Sequence, residues 1–199
     1  MAGAFPISTA QFTSLGIKSI QNTIISKSVS GKKLARQIDG QRWAFTIQII
    51  TAKRSDVYGE LMAFIVKQRS GKENFTIVPP EITDARGTAS GTPNGTASAG
   101  ATSITLAGTG TGTLKAGDFI KFASHDKVYM VVADQSDIST GSLTIEPPLT
   151  TAVSSSDIQF DNVPFTVHLT NDIQEFGVVG SDKDGNALYQ FEIDVEESL

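Results

Sequence analysis

The chain has no cysteine among its 199 residues. That removes disulfides, thiolate metal sites and thiol nucleophiles together. Histidine is scarce as well, limited to His125 and His168. A zinc site would need carboxylates at positions whose spacing does not suggest one. No purely apolar run exceeds six residues, the length of Val128–Ala133, against the roughly 20 that a membrane span requires. No membrane insertion is expected. The start, Met1-Ala2-Gly3-Ala4-Phe5-Pro6, has neither a basic stretch nor a long apolar one and does not read as a secretion signal. There is no overall cationic surplus: the formal charge is −5, unlike that of a general nucleic-acid binder. What is present fits a folded protein, with 39% hydrophobic and 19% charged residues.

The net charge conceals a distribution. Residues 1–80 hold 11 Lys/Arg against 4 Asp/Glu, residues 81–171 hold 4 against 9, and residues 172–199 hold 1 against 8. A basic first segment and an acidic last one have two readings. Either the two ends lie side by side in one sheet and neutralise each other, or copies of the protein meet with opposite charges facing.

Strand signals dominate the first 80 residues. Ile17–Val29 and Lys32–Ile38 read as strands on either side of Ser30-Gly31, and Asp39-Gly40 reads as a tight turn. In Gln41–Thr51, Trp43, Phe45, Ile47 and Ile49 recur at period two opposite Arg42, Thr46 and Gln48, the pattern of a strand with one buried face. A helix over about 55–70 follows. Ser55 or Asp56 is its expected cap, Val57, Leu61, Phe64 and Ile65 its apolar stripe, and Gly71 its stop. Phe75–Val78 reads as a short strand ended by Pro79-Pro80.

Residues 87–114 hold no charged and no aromatic residue and are dominated by Gly, Thr, Ala and Ser. Residues 87–100 read as a linker that cannot bury enough apolar surface to fold alone. Beyond it, short strand signals at 103–106, 119–122, 127–133, 143–145 and 158–160, separated by turns, indicate a small β-barrel or sandwich. From Pro164 the alternation of Phe165, Val167 and Leu169 predicts a strand, and Ile173–Val179 another. Asp182-Lys183-Asp184-Gly185-Asn186 predicts a hairpin turn. In the last strand, Glu192, Asp194 and Glu196 alternate with Phe191, Ile193 and Val195, giving one acidic face. Two strands alone are marginal, so pairing with the N-terminal strands is expected.

No catalytic constellation emerges. His125 falls in an expected turn and His168 in an expected strand. The 182–186 cluster lacks the remaining ligands of a calcium loop. Gly108–Gly112 lacks the Gly-Lys-Ser/Thr ending of a phosphate loop. No cofactor, metal or catalytic residue is assigned.

The order of signals, with three segments in particular, resembles the distal tail proteins of long, non-contractile-tailed bacteriophages (siphophages). The form resembled carries an inserted OB-type barrel. Gly40–Ile47 looks like the strand before the hub helix and Tyr58–Phe64 like that helix. Leu114–Phe122 with His125–Val131 looks like the core hairpin of the inserted barrel, and Lys115-Ala116-Gly117-Asp118 is the most specific part. The resemblance implies a mainly β fold. Residues 1–84 and 164–199 would form a tail-hub β-sandwich with one helix, and residues 85–163 an inserted OB-like barrel. It implies a structural virion protein without enzymatic activity, located at the distal end of the tail. A homohexameric ring would join a tail tube protein on one side to a tail tip or baseplate hub protein on the other. It would surround the channel for DNA ejection, with no sequence-specific nucleic-acid binding.

Under this resemblance, Glu192, Asp194, Glu196, Arg42, Lys53 and Arg54 are candidate ring-interface or lumen residues, and Phe119 and Tyr129 candidate barrel-surface residues. One rival is a carbohydrate-binding accessory module. The middle unit offers Phe119, Phe122, Tyr129 and Phe160 for stacking, and the strand pattern buries most of these, so host glycan contact is expected to be weak at most. A tail tube or terminator subunit is the other rival.

Overall fold

A computed structural model describes residues 3–6, 12–38 and 40–199. Of the expected Asp39-Gly40 turn, Asp39 lies outside the described residues. The chain divides into two compact units, one of Met1–Thr9, Asn74–Val167 and Ser198–Leu199, the other of Ala10–Glu73 and His168–Glu197.

The second unit begins with β1 (Phe12–Ile20), β2 (Thr23–Lys27), β3 (Lys33–Gln37) and β4 (Arg42–Lys53). The apolar stretch expected as one strand over 17–29 is thus two, broken at Gln21-Asn22. β4 has the alternation read from its sequence: Trp43, Phe45, Ile47 and Ile49 are buried, and the residues between them face outward. A π-helical turn (Arg54–Tyr58) then leads into α1 (Gly59–Lys67). Because that turn precedes the α-helix, neither Ser55 nor Asp56 caps it; the Ser55 hydroxyl bonds instead to Asp56 Oδ1 at 3.2 Å. Leu61, Ile65 and Gln68 line the buried stripe, while Val57 and Phe64 are only half-buried. The helix is stopped by Arg69 and Ser70, both left-handed (φ 53° and 59°), and not by Gly71. Gly71 is needed for a different reason: a Cβ there would lie 2.7 Å from the Leu169 carbonyl oxygen.

The first unit holds β5 (Phe75–Ile77), β6 (Pro93–Ala97), β7 (Ser103–Gly108), β8 (Phe119–Phe122), β9 (Val128–Val131), β10 (Ser142–Glu146) and β11 (Val153–Gln159). The strands β10-β7-β6-β11-β8-β9 close into a barrel, and every pairing is antiparallel. Its six strands are one more than the five of an OB arrangement. The side chains of Ile104, Leu106, Phe122, Tyr129, Leu143 and Ile145 fill the interior, each at most 4% exposed. β12 (Phe165–Leu169) pairs with β5, placing Val167 opposite Phe75.

Residues 87–100 are not a linker. They contain β6, and Ser90 bridges to Thr111. Two properties of the Gly/Thr composition permit this. Cross-strand hydroxyl pairs form between Ser90 and Thr111 and between Thr92 and Thr109, each at 2.9 Å, of the kind that stabilises paired strands. Gly95 points into the barrel, where an added Cβ would come within 2.7 Å of Ile104 and 2.9 Å of Phe122. The segment's neighbours supply the apolar surface that it lacks.

The second unit is completed by β13 (Gly177–Ser181) and β14 (Ala187–Glu197). β13 begins four residues later than the expected 173–179 strand. The turn between them is a hairpin built on Asp182, which accepts from the amides of Asp184 (2.9 Å) and Asn186 (2.8 Å). β14 pairs with β4, as expected for the chain ends. The sheet core is Phe45, Ile47 and Ile49 against Phe191, Ile193 and Val195, each at most 2% exposed.

Candidate functional site

The β4–β14 ladder sets Glu192 opposite Gln48, Asp194 opposite Thr46 and Glu196 opposite Ala44. Side chains alternate along both strands. Burying Ile47, Ile193 and their neighbours therefore turns the three carboxylates and their polar partners to the other face. There two hydrogen-bond relays cross three strands. Lys18 Nζ donates to Thr46 Oγ1 (3.2 Å), which donates to Asp194 Oδ1 (2.7 Å). Ser14 Oγ donates to Gln48 Oε1 (3.1 Å), and Gln48 Nε2 donates to Glu192 Oε2 (2.6 Å). Asn171 Nδ2 adds a bond to Asp194 at 3.3 Å. Glu196 is neutralised directly by Arg42 at 2.9 Å.

The candidate interface residues therefore separate. Glu192, Asp194, Glu196 and Arg42 share one face. Lys53 is tied to Asp182 at 2.5 Å beside the β13–β14 turn. The hydrogen bond that Lys53 donates to Asp182 raises the Lys53 pKa, and the bonds donated by Asn186 and Lys53 hold the Asp182 carboxyl well below the usual carboxylate range. Arg54 is exposed in the π-helical turn and lines a shallow apolar depression with Met62, Ala63 and Val66.

An open groove of about 640 Å³ lies beside the acidic face, lined by Gln48, Glu192, Asp194, Glu175, Ile173 and Val179 among others. No cation lines it. Glu192 and Asp194 accept hydrogen bonds from neutral groups and, with Glu175, have no ion-pair partner among the described residues. Glu175, Ile173 and Val179 carry no distinct signal in the sequence, where residues 173–179 read as a plain strand. Among the described residues the groove is lined by carboxylates, amides and apolar groups, with no histidine or hydroxyl nucleophile. It can bind a cationic, partly apolar surface. Among the described residues no group of three His, Asp or Glu is placed to hold a metal ion.

On the barrel, Phe119 and Tyr129 are not surface residues. Phe119 is 5% exposed and packs edge-on to Phe165 at 5.6 Å. Tyr129 is fully buried, its hydroxyl bonded to His125 Nε2 (2.8 Å) and Thr150 Oγ1 (3.0 Å). Tyr129, with Phe122 and Phe160, belongs to the barrel core, whereas Phe119 lies outside that core and is covered by Phe165. Burial lowers the pKa of His125, which the Asp126 charge opposes. The Lys121 hydrogen bond lowers that of Asp126.

The Lys115-Ala116-Gly117-Asp118 segment has a structural explanation. The Asp118 carboxylate is buried and accepts from the Lys115 amide (2.7 Å) and from Arg86 Nε (3.1 Å), while Arg86 also donates to the Ala116 carbonyl. Gly117, at φ 97°, donates its amide to the Val131 carbonyl at 2.6 Å. The turn is locked by one buried acid and one glycine in a conformation that other residues rarely adopt.

Residues 82–163 match the family model described as distal tail protein pb9, B domain. That range contains the whole closed barrel and the Asp118 turn. The match covers 82 of the 199 residues, and it is this segment that is similar to that domain. No curated protein matches the chain at a significant level.

Proposed function

We propose that the protein forms a hexameric ring at the distal end of a siphophage tail, joining the tail tube to the tail tip or baseplate hub and surrounding the channel for DNA ejection. The observation that carries this is the family match over 82–163. The second unit supports the ring. Cyclic assemblies use head-to-tail contacts between two different patches, and this unit exposes a basic strand pair and an acidic groove. Residues 1–84 and 164–199 act as the ring-forming hub and residues 85–163 as the inserted barrel. The protein acts without catalysis.

The glycan-binding alternative loses its physical basis, since Phe119, Phe122, Tyr129 and Phe160 are all at most 6% exposed. Antibody labelling of virions under the electron microscope tests the proposal. Label confined to one tail end, opposite the capsid, is expected. Label along the whole tail would make the protein a tube subunit instead.

A further inference from the structure

The strands β2 and β3 form a sheet of their own. Every residue from Gln21 to Ile38 is exposed except the half-buried Ser28. Two-stranded hairpins are marginal in water, and this one carries apolar side chains on both faces. Ile25 lies opposite Ala35 on one face; Ile24 and Leu34 lie on the other, opposite Arg36 and Ser26. Ile24, Ile25 and Leu34 are 57%, 56% and 52% exposed. The segment 21–38 holds four cations, Lys27, Lys32, Lys33 and Arg36, and no carboxylate. Lys27 sits directly opposite Lys33, a like-charge pair that weakens an isolated hairpin. None of the four has an ion-pair partner among the described residues.

The groove beside β14 has the complementary character. Glu175, Glu192 and Asp194 face it without a cation, and the apolar side chains at its margin, Ile173 and Val179, are 78% and 54% exposed. β13, which forms one side, pairs among the described residues with β14 alone, and an open strand edge is a ready template for another chain.

We infer that the β2–β3 hairpin of one copy docks in the Glu175/Glu192/Asp194 groove of the next copy. The occupant of the groove is a second copy of this chain, selected by complementary charge and by the apolar side chains exposed on both partners. The contact joins two different patches, so it propagates head to tail and closes into a ring when the rotation allows. Burying Lys27 and Lys33 against carboxylates removes their mutual repulsion. This inference rests on the ring reading and adds the contact that makes the ring. It places Glu192 and Asp194 at the subunit interface and not on the lumen wall.

The test uses the full-length chain and mass measurement in solution over rising concentration at low salt. One variant reverses the arm (Lys27→Glu, Lys33→Glu, Arg36→Glu) and another reverses the groove (Glu175→Lys, Glu192→Lys, Asp194→Lys). Wild type is expected to assemble, each variant alone to remain monomeric, and an equimolar mixture of the two to recover the wild-type mass. In the mixture every arm meets a groove of opposite charge in an alternating ring. A second measurement uses the absence of native cysteine. Ile25→Cys and Val179→Cys proteins, mixed and oxidised, are expected to give a disulfide between copies. Assembly of both variants with unchanged mass, or no disulfide between copies, overturns the arm-groove contact and leaves the ring reading intact. A wild type that stays monomeric throughout overturns the contact as a driving force for assembly. Arm-dependent assembly into a species other than six copies keeps the contact and contradicts the hexameric ring.

Discussion

The barrel and the β4–β14 sheet are both antiparallel β structures of similar size, yet they treat their strands in opposite ways. The barrel pairs every strand on both sides and turns Phe122, Tyr129, Leu143 and Ile145 inward. Closure leaves no strand edge for another chain to use. The sheet buries one face only, leaves β13 open on one side, and carries a hairpin with apolar groups in water. A protein whose only task was to fold would not keep Ile24, Ile25 and Leu34 exposed beside four unpaired cations. The barrel is closed within one copy, whereas the proposed arm–groove contact would complete the sheet with a neighbour.

Substitutions can break this comparison from either side. The largest effect is expected in the barrel interior. Phe122→Ala leaves a cavity against Tyr129 and His125 and should lower the barrel's unfolding free energy by about 3–5 kcal/mol, read by denaturant titration. A smaller loss, about 2–3 kcal/mol, is expected for Asp118→Ala. It strands the Lys115 amide and the Arg86 guanidinium, whose exposure moderates the penalty. A similar loss from an exposed arm residue would erase the distinction.

The pH dependence sharpens the same contrast. Burial holds the folded-state pKa of His125 below its ordinary value of 6.5. The unfolded chain therefore takes up the proton at higher pH than the folded chain. Stability from this site is complete above about pH 6.5 and is lost as the pH falls below it. Thermal melts at stepped pH should show a barrel transition that declines as the pH falls below about 6.5, and His125→Gln should flatten that slope. The smallest effect on the isolated copy is expected in the hairpin. Ile24→Ser with Leu34→Ser should change monomer stability by no more than about 0.5 kcal/mol and abolish assembly.

Much of the fold was legible where burial imposes a period. β4 and β14 were readable because one face of each is dry, so apolar and polar residues must alternate. Their pairing followed from the need of β14 for a partner. The barrel strands were readable for the same reason, except β6. In that strand Gly95 allows close approach of Ile104 and Phe122, and just before it Thr92 pairs with Thr109; close approach leaves no hydrophobic period. The helix ends were misplaced because tertiary contact decided them: Gly71 is fixed by the Leu169 carbonyl and not by capping. Among the candidate site residues, the acidic face of β14 was visible as an alternation. The strand pattern predicts burial for most of the barrel aromatics, and burial extends to Phe119 and Tyr129 as well. Glu175 and the hairpin cations gave only a weak signal, an absence of carboxylates over 21–38, since an exposed interface needs no periodicity.

The central claim is that the sheet unit, and not the barrel, is completed by another copy. Amide hydrogen exchange on the full chain, compared between dilute monomer and concentrated assembly, tests it most directly. The account predicts slowed exchange over residues 23–37 and 171–181 on assembly, with the barrel strands unchanged. Protection appearing on the barrel, with residues 23–37 exchanging as fast as in the monomer, would contradict it.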